Sequence, residues 1–215
     1  MTATGALAGA VVAGALVFAM LAGEGPRSLL AWLQYPLFGA LALGLAMRSR
    51  HARRVPAPHF VTLSWALGMA FEATLTVDGG GIGGVHPDTL ASFLLAQGDY
   101  LPLALAFWAL RRWGGLGLAG AFWAAGGAAL TEGLVFTGSL LAAVSAGPAG
   151  AALTLAYLWS AYALFLALPL RILGAEWGRA PPWALPAGFA AAFAVRLFWG
   201  LAYAPAMTAL IGIPP

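Results

Sequence analysis

Four ionisable residues stand inside long apolar runs of this sequence: Glu72, Asp99, Glu132 and Arg196. An ionisable side chain in hydrocarbon costs about 2.5–3.5 kcal/mol on insertion scales, so each needs an interior partner or a task. Three carboxyl groups beside one guanidinium cannot all ionise cheaply in a low dielectric, and at least one is expected to carry a proton. A protonated carboxyl in a dry cavity is a poised general acid. The plainer alternative is that Arg196 neutralises one acid while the others hydrogen-bond across helices and merely fix a bundle.

Aromatic side chains form the second chemically informative set. Nine tryptophans and five tyrosines exceed what two interfacial belts require, although Trp32, Trp113, Trp177 and Trp183 suit such belts. Trp65 precedes Glu72 by seven residues, almost two helical turns, which puts both on one face. Tyr157, Trp159, Tyr162 and Tyr203 also lie within apolar runs. Aromatic faces stabilise a cation that has no counter-anion. Most of these rings are expected to be packing, with two or three in a pocket. The substrate-contacting candidates are Gln34, Tyr35, Trp65, Tyr100, Trp123, Tyr157, Tyr162 and Trp199.

The elements that position these groups follow from composition. Of 215 residues, 62% are hydrophobic and 8% charged, and the mean hydropathy is +0.88. Soluble domains carry about 25% charged residues, so this composition cannot assemble a water-facing surface. A helix needs about 20 apolar residues to cross the hydrocarbon core. Apolar runs between turn signals predict seven crossings: about 3–21, 29–47, 60–77, 90–110, 116–136, 149–170 and from after Pro182 to about 211. The expectation is an all-α, polytopic membrane protein with seven transmembrane helices, forming a single domain over 1–215 with no separate soluble domain. The first run lacks the basic leader of a signal peptide and counts as a span. Pro102, Pro169 and Pro205 are expected to interrupt three spans.

All ten basic residues are arginine, which excludes a retinal-type Schiff base, and zero cysteines exclude thiolate chemistry and disulfides. Arg48, Arg50, Arg53, Arg54, Arg111, Arg112, Arg171 and Arg179 fall in the second, fourth and sixth connections, against Arg27 alone opposite. Retention of basic flanks in the cytoplasm then predicts the N-terminus inside and the C-terminus outside, in a bacterial inner membrane. On that topology Glu72, Asp99, Glu132, Gln34 and Tyr35 share an outer level, with Arg196 near mid-depth. The pI near 9.8 needs only this topological explanation, and no nucleic acid is expected as partner.

Other signals are discounted. The glycine run Gly79–Gly84 lacks the Lys-Ser/Thr of a phosphate loop. Asp88 precedes an apolar run and reads as a helix cap rather than as a metal ligand with His86. Three scattered histidines disfavour a metallohydrolase, and no serine has an intramembrane histidine for proteolysis.

The stretch Trp65-Ala66-Leu67-Gly68-Met69-Ala70-Phe71-Glu72-Ala73-Thr74-Leu75-Thr76-Val77 resembles the acid-bearing third helix of the small seven-helix integral-membrane terpene cyclases of meroterpenoid and indole-terpenoid pathways. Phe93-Leu94-Leu95-Ala96-Gln97-Gly98-Asp99-Tyr100, followed by Ala106-Phe107-Trp108, looks like that family's aspartate-bearing fourth helix. The resemblance implies proton-initiated cyclisation of a polyprenyl chain or its terminal epoxide, without metal, cofactor or diphosphate loss. Glu72 would be the acid or its partner and Asp99 a supporting polar group. That family has an acid in its last helix, where this sequence offers Arg196. A fainter likeness around Phe71-Glu72 to the sterol-isomerase group points to the same type of substrate.

The leading expectation is therefore a membrane enzyme acting on a lipophilic, isoprenoid-like small molecule, with Glu72, Asp99, Glu132 and Arg196 as its catalytic set. The alternative is a proton-coupled transporter of a small solute, because acids inside a bundle also form proton relays. A structural subunit without a site is the third reading.

Overall fold

The computed structural model describes residues 3–22, 33–46, 56–76 and 89–211. Most of these residues are helical, and there is no strand among them. In chain order the helices are α1 (Ala3–Ala22), α2 (Gln34–Ala46), α3 (Ala57–Thr76), α4 (Thr89–Gly114), α5 (Leu118–Thr131), α6 (Ser139–Ser145), α7 (Pro148–Ile172), α8 (Ala184–Phe198) and α9 (Ala204–Ile211). A π-helical turn, Glu132–Phe136, extends α5, and a second, Trp199–Tyr203, joins α8 to α9.

Four stretches are long and apolar enough to cross a membrane: Leu90–Gly114, Leu118–Phe136, Pro148–Ile172 and Ala184–Leu210. Thr4–Met20 and Gln34–Ala46 are apolar but shorter. Helix α3 has 20 residues and carries Pro58, His59, Ser64 and Glu72 along its length. Large apolar side chains stand outward on several helices: Leu201 is 80% exposed, Leu43 68% and Leu90 67%, whereas Glu72 is buried at 5%. A surface this apolar, over an interior that shelters polar groups such as Ser64, Glu72 and Arg171, is the arrangement a hydrocarbon solvent favours.

Two expectations about helix continuity are corrected. Pro102 lies inside α4 and Pro169 inside α7, and both helices run through them. The departures from α geometry occur instead at the two π-helical turns, which begin at Glu132 and Trp199. Such one-turn insertions are frequent at functional sites. Pro205 follows the second of them, at the start of α9. Short helix α6 occupies the connection between the fifth and sixth predicted segments. It is flanked by Gly138 at φ 65° and Gly147 at φ 116°, conformations that glycine adopts without a Cβ clash. Pro148 then opens α7 with the fixed φ of a first-turn proline.

Small residues set the closest helix contact. A Cβ on Gly127 would lie 2.0 Å from the Leu185 carbonyl oxygen, and one on Gly188 would lie 2.0 Å from that of Ala124. The backbones of α5 and α8 therefore touch, as small-residue seams permit where no hydrophobic force drives association. Thr131 donates its hydroxyl to the Phe189 carbonyl at 3.0 Å along the same seam. Pairs advance together from Ala124–Gly188 to Glu132–Arg196, so α5 and α8 run parallel. By the same reasoning α4 and α8 run antiparallel, through Asp99–Arg196, Leu95–Trp199 and Leu94–Tyr203. Helix α1 is antiparallel to α7, pairing Val11 with Ser160 and Gly14 with Leu153.

Candidate functional site

The seam between α5 and α8 carries the chain directly into the polar interior. Glu132 opens the π-helical turn after α5, and Arg196 sits in the last turn of α8. Arg196 donates from Nη2 to Glu132 Oε2 at 2.7 Å and from Nε to the same oxygen at 3.1 Å. Its Nη1 pairs with Oδ2 of Asp99 on α4. Asp99 and Glu132 side chains are 16% and 13% exposed, and that of Arg196 is 24% exposed. One guanidinium thus joins three helical segments. The fork geometry of arginine allows this, since each nitrogen donates in a fixed direction.

Two tyrosines extend the cluster. Tyr162 of α7 donates to Glu132 Oε2 at 3.2 Å. Tyr100 of α4 donates to Glu72 Oε2 of α3 at 2.8 Å. Gly68 makes room for the Tyr100 ring, because a Cβ there would stand 2.5 Å from it. Oδ1 of Asp99 is buried with no hydrogen-bond partner among the described residues.

These groups line one cavity of about 250 Å³. Its wall includes Glu72, Asp99, Glu132 and Arg196, the whole predicted catalytic set, and Tyr100, Tyr157 and Tyr162 from the predicted substrate-contacting set. Phe18, Phe71 and Phe165 complete the aromatic lining. Tyr157 packs on Phe18 at 4.8 Å between ring centroids and on Phe71 at 6.1 Å, while Tyr100 meets Phe165 edge-on at 5.1 Å. Thr137, just after the π-helical turn, and Ser139, which opens α6, add hydroxyls to the wall and share a 2.8 Å hydrogen bond.

Five of the predicted contact residues are placed elsewhere, since Gln34, Tyr35, Trp65, Trp123 and Trp199 are not in the cavity wall. Gln34 of α2 stands behind it, accepting from Tyr157 at 3.2 Å and donating to Thr74 at 3.1 Å. Tyr35 donates to the Ala19 carbonyl at 3.3 Å. Trp65 is 38% exposed and gives its indole N–H to Gln97. Seven residues keep it near the face of Glu72 but displace it by about 10 Å along the axis, beyond the cavity's reach. Trp123 packs on Trp159 at 5.4 Å. Trp199 donates to the Leu95 carbonyl at 2.9 Å, with its ring 6.0 Å from the Arg196 guanidinium carbon.

The phenylalanines were missed because an apolar ring on an apolar helix has no periodicity of its own to separate wall from core. Thr137 and Ser139 had a usable signal, two hydroxyls following Glu132 at the end of an apolar run. His86, Asp88, the glycine run and the basic residues from Arg48 to Arg54 lie outside the described residues. No family model, curated protein or solved structure matches this chain.

Proposed function

We propose that the chain is an integral-membrane enzyme that isomerises or cyclises a lipophilic, isoprenoid-like substrate by proton transfer from buried carboxyl groups. The observation that carries this reading is that carboxyls from α3, α4 and the π-helical turn after α5 line one cavity with six aromatic rings. Asp99 and Glu132 share a single guanidinium in a low-dielectric wall, an environment in which a carboxyl can hold a proton. A carboxyl O–H then protonates an alkene or epoxide. Further double bonds of the substrate attack the resulting cation, and a carboxylate removes a proton from the last one. Acid is regenerated and the product is an isomer of the substrate. Ring faces stabilise the intermediate cations without offering them a nucleophile. This chemistry is the one implied by the resemblance to the integral-membrane terpene cyclases, with Arg196 holding Asp99 and Glu132 where that family has an acid.

The topology we infer has seven spans, with the N-terminus inside and the C-terminus outside. Support comes from helix direction: α5 parallel to α8, and α4 antiparallel to it, are the relations expected of the fifth, fourth and seventh crossings. The carrier reading has the two π-helical turns in its favour, because non-α backbone at depth often lines a transport path.

The test is conversion of a panel of polyprenyl alcohols, quinols and their terminal epoxides by membranes containing the protein. The enzyme reading predicts a product of unchanged mass and altered retention. Uptake of solute into proteoliposomes driven by a pH gradient, with no such product, supports the carrier instead.

A further inference from the structure

We propose that the cavity is a receptor for lipophilic monovalent cations, exemplified by a quaternary ammonium with an apolar substituent. The inference rests on the reading of this cavity as a binding site and names the ligand class it favours, whichever reaction follows. Three features of the cavity carry it.

The first is the sign of its wall. Glu72, Asp99 and Glu132 face it from α3, α4 and the π-helical turn, and among the described residues Arg196 from α8 is the only cationic side chain in the lining. Tyr100, Tyr157 and Tyr162 add neutral hydroxyls from α4 and α7. Asp99 and Glu132 share the Arg196 guanidinium, two carboxyls to one cation. A further positive charge therefore improves the balance, whereas an anion would be forced against carboxyls.

The second is the rest of the wall. Rings of Phe18, Phe71 and Tyr157 pack on one another at 4.8 and 6.1 Å, and Tyr100, Tyr162 and Phe165 form a second group at 5.1 and 5.3 Å. A quaternary ammonium has no N–H to satisfy, so aromatic faces are its natural surroundings. Among the described residues no three acid or histidine side chains are grouped closely enough to hold a metal ion.

The third is room and an unused acceptor. An apolar cavity of about 150 Å³ holds benzene, and this one is about 250 Å³. Oδ1 of Asp99 has no hydrogen-bond partner among the described residues, while Oδ2 is held by Arg196, so one oxygen of this carboxyl is open to a ligand.

The test uses the full chain in nanodiscs of phosphatidylcholine, whose net charge is zero, so that surface attraction does not mimic binding. Benzyltrimethylammonium and its neutral carbon isostere, neopentylbenzene, are titrated by calorimetry. The cation is expected to bind about tenfold tighter or better. Glu72→Gln combined with Asp99→Asn should bring the two probes to equal affinity. Glu176→Gln, in the exposed connection after α7, should leave the preference intact. Asp99→Glu retains the charge and should retain the preference, which separates loss of charge from loss of fold. Equal affinities for the unaltered protein, or a cation preference that survives the double substitution, overturn the inference. Turnover that persists in Glu72→Gln alongside an intact cation preference removes the acid mechanism and leaves this site standing. Equal affinities with acid-dependent turnover do the reverse.

Discussion

The Tyr100 hydroxyl donates a 2.8 Å hydrogen bond to Oε2 of Glu72, joining α4 to α3 inside the cavity. Tyr100→Phe removes that donor and leaves the ring in the space that Gly68 provides. A hydrogen bond to an ionisable partner is worth about 1.5–3 kcal/mol. Turnover of the substrate is expected to fall by roughly tenfold to a hundredfold, read as initial rate at saturating substrate. The fold should persist, because the ring still packs edge-on against Phe165. Gly68→Val, which pushes the same ring, should lose both activity and thermal stability.

Arg196 is the group on which the interior charges depend. Arg196→Met strands Asp99 and Glu132, and removing one partner of a buried pair costs about 3–5 kcal/mol. Thermal unfolding in detergent should show that loss. Adding Asp99→Asn and Glu132→Gln to Arg196→Met should recover much of the lost stability without restoring activity. Arg196→Lys should fall between, since one ammonium cannot reproduce a fork that reaches two carboxyls in different directions.

The seam between α5 and α8 makes a prediction about glycine. Gly188→Ala and Gly127→Ala each place a methyl 2.0 Å from a backbone oxygen that cannot rotate away. Overpacking typically costs about 1–3 kcal/mol, and here it also separates Glu132 from Arg196. Both variants should melt at lower temperature and lose activity. Gly200→Ala, which meets nothing within 4 Å, should match the parent in both assays.

What was legible in the sequence follows from what a bilayer demands of each residue. Long apolar runs broken by Gly-Pro and arginine clusters announce helices because only a satisfied backbone survives in hydrocarbon. Helix α6, with seven residues, is too short for that signal and was absorbed into a connection. Glu72, Asp99, Glu132 and Arg196 stood out because charge in an apolar run needs a partner, and they line one cavity. The tryptophans misled for a related reason. An indole N–H in a dry interior also requires an acceptor. Trp65 and Trp199 find theirs on the Gln97 side chain and the Leu95 carbonyl, so both are tied to α4 outside the cavity wall. Sequence spacing gives a residue's face but not which neighbouring carbonyl lies within its reach.

Gln34 illustrates the same point and yields a further prediction. It holds the Tyr157 hydroxyl at 3.2 Å and Thr74 at 3.1 Å, behind the ring wall of Phe18, Phe38 and Phe71. Gln34→Leu frees the Tyr157 hydroxyl, while Thr74 keeps its 2.6 Å bond to the Phe71 carbonyl, and the two lost bonds should each cost about 1 kcal/mol of stability. Tyr157 already faces the cavity, and its oxygen, released from Gln34, can take a proton from a cationic intermediate and pass it to a carboxylate, which ends the cascade early. The products of this variant should then include early-terminated species, detected by mass spectrometry beside the parent's product.

The most direct measurement is turnover of a polyprenyl or polyprenyl-epoxide substrate by the parent and by Glu72→Gln, each reconstituted at equal folded amount. Glutamine keeps the shape and removes the transferable proton. The account predicts an isomeric product from the parent and a loss of about a hundredfold or more in the variant, within the range general acids supply. Undiminished formation of that product by Glu72→Gln would contradict it.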